Sequence, residues 1–278
     1  MNIELLVSSG AFIGRVNGRN HRPFLSGCDA LSLDGFEFMM YESWYDKLDE
    51  IVGDFKEKGI PVKVFHADKF IGQKVGLGDK ESLKDALYCM EENCKSAERL
   101  GAKKLVLHLW NGPISDDNIE NNIKAFGELS KIADSYGLLL MPENVVCRNG
   151  RPMDHIFRLA DRYPEARFTF DTKMANFHRE LSLCYEGDFL SLWRERRIAH
   201  LHVNDHRGAY KDWDNVRTRH IGEGDIDFYE FFRFVRSVGY EGTATLECTS
   251  MDMDGNIYFD KMNESVRRVR KIISDVIA

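Results

Sequence analysis

The stretch Ile198-Ala-His-Leu-His-Val-Asn-Asp205 has the alternation that is typical of a short β-strand. Leu201 and Val203 lie on one face, and the other face carries two imidazoles and an amide. Burying histidines on a strand costs free energy unless something satisfies their nitrogens. The usual partners are core hydrogen bonds or a metal ion, and this strand alone leaves both interpretations open.

Seven more segments of the same kind alternate with amphipathic helices along the chain. The predicted strands are 3–7, 34–39, 62–66, 104–110, 138–143, 167–171, 198–205 and 242–247, and the predicted helices include 44–58, 80–100, 153–163, 189–196, 228–238 and 259–277. Alternating strands and helices predict an α/β protein with a parallel sheet, and eight strands are the number that closes a (β/α)8 barrel. A doubly wound sheet is the alternative, but no glycine-rich phosphate fingerprint follows the first strand. We therefore expect a single barrel domain over residues 1–278.

Composition limits the classes of partner. The 278 residues carry a net charge of −7, which argues against nucleic-acid and membrane-surface binding. No apolar run approaches the roughly 20 residues of a membrane span. The N-terminal residues show no charged leader followed by an apolar segment, and the six cysteines have neither metal-ribbon nor disulfide-scaffold spacing. These features predict a cytoplasmic protein with reduced thiols.

Acidic and imidazole side chains end seven of the eight predicted strands. They are Glu37, His66, His108, Glu143, Asp171, His202 and Glu247. Each alone is explained by a salt bridge, a helix cap or a core histidine, but barrel strands bring their carboxyl ends to one rim. Carboxylates that meet there raise one another's pKa unless a cation compensates them. Three carboxylates and one imidazole suit Mn²⁺, Zn²⁺, Co²⁺ or Mg²⁺, and the ligand set does not choose among these metals.

Short motifs along nearly the whole chain carry a family resemblance. They are Gly35-Phe-Glu37, Pro142-Glu-Asn144, Phe170-Asp-Thr172, His202-Val-Asn-Asp205, Ile221-Gly-Glu-Gly224 with Asp227, and Leu246-Glu247. In this order they resemble the xylose-isomerase-like TIM barrel superfamily, which holds sugar isomerases and epimerases together with the class II abasic-site endonucleases. The resemblance is specific for the superfamily and poor at naming a substrate.

The resemblance implies that Glu143, Asp171, His202 and Glu247 bind a divalent metal ion. It further implies that Glu143 and Glu247 are the acid/base pair of a sugar, sugar phosphate or hydroxy-carbonyl isomerase or epimerase. A proton next to a carbonyl is removed, the metal stabilises the ene-diolate, and a proton returns. A hydride shift with two metals is the alternative mechanism. The implied partner is a small-molecule sugar, and a homo-oligomer is compatible with the family.

Further residues are weaker candidates for the same pocket. The resemblance implies that His66 and His108 either line the substrate pocket, as residues at these strand ends do in sugar enzymes, or hold a second metal, as they do in the endonucleases. The other candidates, each also explained by packing or surface placement, are Trp110, Lys173, His178, Arg207 and Glu37. Asn204 and Asp205 are expected to orient His202 as hydrogen-bond partners.

Three other functions stay open at this point. One is a metal-dependent dehydratase of a polyol of the keto-inositol type, and another is a regulatory barrel without activity. The third is an endonuclease-like phosphodiesterase. The endonuclease pattern needs a histidine where Met174 stands and an Asp-x-His where the chain has Thr218-Arg-His220. Together with the acidic charge, these departures favour the sugar branch.

Overall fold

A computed structural model describes residues 2–111 and 115–278, apart from the side chain of Ser115. The strands within these residues are β1 (Ile3–Ser8), β2 (Gly35–Met39), β3 (Val62–His66), β4 (Lys104–Leu107), β5 (Leu139–Pro142), β6 (Phe168–Asp171), β7 (Ile198–His202) and β8 (Gly242–Leu246). They form one parallel sheet in the order β5-β4-β3-β2-β1-β8-β7-β6, which is the strand order of a (β/α)8 barrel. The predicted fold is confirmed.

Helices follow the strands as the alternating pattern predicted. In the described part of the chain they are α1 (Arg22–Gly27), α2 (Leu48–Lys58), α3 (Phe70–Leu77), α4 (Lys80–Leu100), α5 (Ile119–Ser135), α6 (Pro152–Arg162), α7 (Thr172–Phe177), α8 (Phe189–Arg194), α9 (Phe228–Ser237) and α10 (Phe259–Ile277). The predicted bounds of β3, α4 and α10 agree with the structure. The buried face of α10 includes Met262, Val266, Val269, Ile272 and Val276.

Two strands, β4 and β7, end three residues earlier than the alternation predicted. β4 ends at Leu107, whose carbonyl accepts the backbone N–H of Glu143 just after β5. β7 ends at His202, after which Asp205 leaves the sheet and pairs with Arg219 in an antiparallel bridge. The polar residues that follow both strands therefore lie in loops, where they are free of the alternation of the sheet.

The chain forms two compact units. The first comprises Met1–Phe36 and Asp171–Ala278, and the second comprises Glu37–Phe170. In the first unit β8 pairs in parallel with both β1 and β7. In the second, β4 pairs in parallel with β3 and β5.

The sequence predicted that the chain has no membrane span and that its cysteines are reduced thiols. In residues 2–111 and 115–278, no helix is long and apolar enough to cross a membrane. Each of the six cysteines is a buried thiol, and burial raises the pKa of Cys94 and of Cys248 to about 12.

Candidate metal centre

Three of the predicted ligands meet in the first unit. Asp171 ends β6, His202 ends β7, and Glu247 follows β8 directly, so the carboxyl ends of neighbouring strands deliver all three. Nδ1 of His202 lies 3.2 Å from Oε2 of Glu247 and 3.9 Å from Oδ2 of Asp171. The side chains of Asp171 and His202 are fully buried, and that of Glu247 is 16% exposed. Two acidic groups and one imidazole thus converge at a buried strand edge.

Asn204 organises the two carboxylates of this group. Its side-chain nitrogen donates to Oδ2 of Asp171 at 2.8 Å and to Oε2 of Glu247 at 3.1 Å. Its side-chain oxygen accepts the backbone N–H of Glu247 at 2.9 Å. These contacts place the amide between the two acidic side chains, and its expected role in orienting His202 stays a prediction.

The remaining oxygen of Asp171 caps a short helix that the sequence pattern did not reveal. Oδ1 accepts the backbone N–H of Met174 at 2.7 Å, at the start of α7. The neighbouring Thr172 accepts the backbone N–H of Asn204 at 3.0 Å and donates to its carbonyl at 2.7 Å. Asp171 is therefore held with Oδ2 directed at Asn204 and His202.

Asp205 organises the loop of the Ile221-Gly-Glu-Gly224 motif. Its Oδ2 accepts the backbone N–H groups of Gly222 and Gly224, at 2.8 and 2.9 Å. Its Oδ1 accepts those of His206 and Ile226, at 2.8 and 3.3 Å. A Cβ atom at position 224 would lie 2.1 Å from Oδ1 of Asp205, so only glycine fits there. The motif is explained by the turn that a buried carboxylate holds in place.

The other predicted ligand, Glu143, lies in the second unit beside two histidines. Its Oε2 is 2.8 Å from Nε2 of His108 and 3.6 Å from Nε2 of His66, and the two rings meet edge to face at 4.8 Å. Nδ1 of His66 lies 2.9 Å from the carbonyl of Ala67 and donates to it, because a carbonyl only accepts. In the neutral ring, Nε2 of His66 is then an acceptor that faces a carboxylate oxygen. A cation or an added proton relieves that contact.

Burial lowers the pKa of His108 to about 4, against the opposing charge of Glu143. The imidazole is therefore neutral at neutral pH, which is the form that binds metals. Glu37, on β2 of the same unit, is also fully buried.

The other candidates take up different positions. The indole of Trp110 is buried, donates to the carbonyl of Val145 at 2.7 Å and packs against His155. Lys173 is buried and donates to Oγ1 of Thr218 at 3.1 Å.

His178 and Arg207 lie in very different surroundings. His178 is buried with its ring edge to face against Phe177 and Tyr210. Arg207 is 59% exposed and pairs with Asp225 at 3.1 Å. Arg207 thus forms an ion pair at the surface, and a role for it in the pocket stays a prediction.

A sequence profile of the family described as xylose isomerase-like TIM barrel matches residues 27–272. Because the match covers most of the chain, the chain belongs to this family. An uncharacterized protein of Methanocaldococcus jannaschii is 25% identical over 171 residues, which is 57% of this chain and 55% of the relative. The chain thus spans about half the length of the curated relative that it matches.

Several solved structures share this fold. A D-tagatose 3-epimerase-like protein superposes with a TM-score of 0.72 at 19% identity, over 99% of this chain and 100% of the other. A D-allulose 3-epimerase from Methylomonas sp., solved in complex with D-allulose, gives 0.70 at 16% identity over 97% of both chains. The IOLI protein, solved with a zinc atom, gives 0.65 at 16% over 99% and 98%. At these identities the likenesses show a shared fold.

Proposed function

We propose that this chain is a divalent-metal-dependent isomerase or epimerase of a sugar or a related hydroxy-carbonyl compound. The single observation that carries the proposal is the convergence of Asp171, His202 and Glu247 around Asn204. We include Glu143 in the proposed ligand set for two reasons. It stands in the family motif Pro142-Glu-Asn144, and it lies beside His66 and His108.

The donor set fits a divalent cation. Carboxylate oxygens and a neutral imidazole are ligands for Mn²⁺, Zn²⁺, Co²⁺ and Mg²⁺. Two acidic side chains that share one amide donor carry more negative charge than that donor compensates. A zinc atom in one relative with this fold supports the same proposal.

The proposed chemistry assigns a separate task to each group. A bound cation supplies Lewis-acid stabilisation of the negative charge that develops on neighbouring substrate oxygens. Glu143 removes the proton from the carbon next to a carbonyl, and Glu247 returns a proton, or the two exchange roles. Asn204 keeps Glu247 and Asp171 in place during the transfer. His66 and His108 contribute hydrogen bonds to substrate hydroxyls.

Structural relatives favour a ketose as the substrate, because two of them are described as 3-epimerases of ketohexoses or as similar to one. The specific sugar and its phosphorylation state stay open. Cytoplasmic location, a single domain over residues 1–278 and homo-oligomeric assembly remain predictions from the sequence.

The proposal is tested by metal removal and reconstitution. Chelator-treated protein is assayed with a set of ketoses and ketose phosphates, with and without Mn²⁺ or Co²⁺, and the sugars are separated by chromatography. We expect metal-dependent conversion that Glu143→Gln and Asp171→Asn each reduce at least 100-fold, as losses of a catalytic base and of a ligand do. Glu223→Gln, which changes a partly exposed glutamate paired with Lys261, serves as the matched control. Equal activity in all variants, or activity without metal, would contradict the proposal.

One observation favours a second candidate, a metal-dependent phosphodiesterase. His66, His108 and Glu143 converge in the way a second metal site requires, with possible ligand atoms within 4.8 Å of one another. Nicking of DNA that contains an abasic site, lost in His108→Gln, would support this candidate. The net charge of −7 argues against strong DNA binding.

A further inference from the structure

Asp116, Cys147 and His155 form a separate cluster inside the second unit. Possible ligand atoms of the three side chains lie within 4.8 Å of one another, and all three residues are buried. Asp116 belongs to the short 3-10 turn Ser115–Asn118, Cys147 lies in the loop after β5, and His155 lies in α6. The proposed chemistry uses none of them.

The ring of His155 is buried beside Asp116. The residue is 6% exposed, and in the described residues neither ring nitrogen has a hydrogen-bond partner. Its Nε2 lies 3.7 Å from Oδ2 of Asp116, which is too long for a hydrogen bond. Burial lowers the pKa of His155, against the charge of Asp116, so the ring is neutral and one nitrogen keeps a lone pair. A buried polar atom without a hydrogen-bond partner destabilises the fold, and a bound cation would satisfy it.

Asp116 is held rigidly beside this ring. Its carboxylate accepts the backbone N–H groups of Arg148, Asn149 and Gly150 at 3.0, 2.9 and 3.0 Å. A carboxylate has about four acceptor positions, so three donors leave one for a further ligand. The side chain is thus fixed in position before any ion arrives.

Gly150 makes room for the imidazole. A Cβ atom at this position would lie 2.6 Å from Cε1 and 2.7 Å from Nε2 of His155. Arg148 and Asn149, whose backbone N–H groups bond to Asp116, are exposed, so the cluster adjoins a surface loop.

We propose that Asp116, Cys147 and His155 bind a divalent cation of the zinc class, with water as the fourth ligand. A thiolate, an imidazole and a carboxylate are the ligands that Zn²⁺ and Co²⁺ accept in a tetrahedral site. Ligand atoms of a tetrahedral zinc site with bonds of roughly 2.0–2.3 Å lie about 3.3–3.8 Å from one another. Nε2 of His155 and Oδ2 of Asp116, at 3.7 Å, already have this spacing. The ion ties the loop after β5 to α6, and so braces the segment that begins at Glu143.

Cobalt spectroscopy tests this site separately from the proposed catalytic one. Chelator-treated full-length protein is titrated with Co²⁺, and the near-ultraviolet absorption from thiolate-to-cobalt charge transfer is recorded. We expect this absorption in the unchanged protein, its loss in Cys147→Ser and in Gly150→Ala, and its displacement by Zn²⁺. Cys184→Ser, which changes another buried thiol, is the matched control and keeps the absorption.

The Asp171→Asn variant separates the two proposals. It removes a ligand of the proposed catalytic centre and leaves all three ligands of this cluster, so the thiolate absorption persists while sugar conversion is lost. Absence of the absorption in the unchanged protein, or its persistence in Cys147→Ser, would overturn the inference. Circular dichroism verifies that each variant is folded. If Cys147→Ser does not fold, Gly150→Ala provides the test, because it leaves the three ligand residues unchanged and displaces only the ring of His155.

Discussion

Asn204 is a single amide that serves two acidic side chains. One nitrogen reaches both Asp171 and Glu247, and the oxygen binds the backbone of Glu247. Residues that hold metal ligands in place affect affinity almost as strongly as the ligands do, because an unheld carboxylate must be ordered when the ion binds.

We expect Asn204→Ala to weaken Mn²⁺ or Co²⁺ binding by about 10- to 100-fold. Isothermal titration calorimetry on chelator-treated protein measures the dissociation constant. Asn176→Ala is the matched control, because the Asn176 amide contacts His206 and no proposed ligand. Equal metal affinity in the two variants would show that Asn204 does not support the ligands.

At the scale of an element, Asp205 holds the loop that joins β7 to α9. Four backbone N–H groups converge on its carboxylate, and the residue is 1% exposed. Hydrogen bonds to a buried charged group contribute about 1.5–3 kcal/mol each, although their effects do not add.

We therefore expect Asp205→Asn to lower the free energy of unfolding by about 2–4 kcal/mol, because its amide group replaces an acceptor oxygen with a donor. Urea denaturation followed by fluorescence gives this value. Asp225→Asn is the matched control: Asp225 is 52% exposed and pairs with Arg207, so its removal changes stability by about 0.5 kcal/mol or less. If Asp205→Asn lowers the free energy of unfolding no more than this control does, Asp205 does not hold the loop in place.

For the whole molecule, stability in acid depends on histidines that are buried in neutral form. Burial, with the cations Lys173, Arg179 and Arg219, lowers the pKa of His206 from 6.5 to about 4, and Asp225 opposes the shift. Below pH 6.5 the unfolded chain binds a proton at this histidine that the folded chain does not bind until about pH 4. The destabilisation is therefore absent above pH 6.5 and grows as the pH falls to about 4.

His206→Gln is expected to remove this contribution, which amounts to roughly 3 kcal/mol at its full extent. The glutamine oxygen still accepts the amide of Asn176, which donates to the ring in the native protein. Denaturation curves at pH 7.5 and pH 4.5 for both proteins give the difference. A pH dependence identical in the two proteins would rule out His206 as a contributor.

The barrel could be predicted from the sequence because eight apolar strands and long amphipathic helices such as α4 have strong periodic patterns. The short helices α3 and α7 were not predicted. They have eight and six residues, which is too few turns for an apolar stripe to appear. The predicted one-domain boundary stays a prediction.

Candidate ligands were visible in the sequence because each of them ends a strand or directly follows one. The sequence predicted a supporting role for Asn204 but not its contacts with Asp171 and Glu247, because these residues come from strands distant in the sequence. The cluster of Asp116, Cys147 and His155 left no motif at all, because its members lie on a turn, a loop and a helix.

The most direct test of the proposed function is solvent deuterium exchange. Metal-loaded protein is incubated in D₂O with the ketoses that it converts, and proton NMR follows the signal of the carbon next to the carbonyl. We predict that deuterium enters this position in the presence of metal and does not enter with Glu143→Gln. Isomer conversion without deuterium entry would contradict proton transfer and indicate a hydride shift. Neither exchange nor conversion with any ketose would contradict the assignment to sugar chemistry.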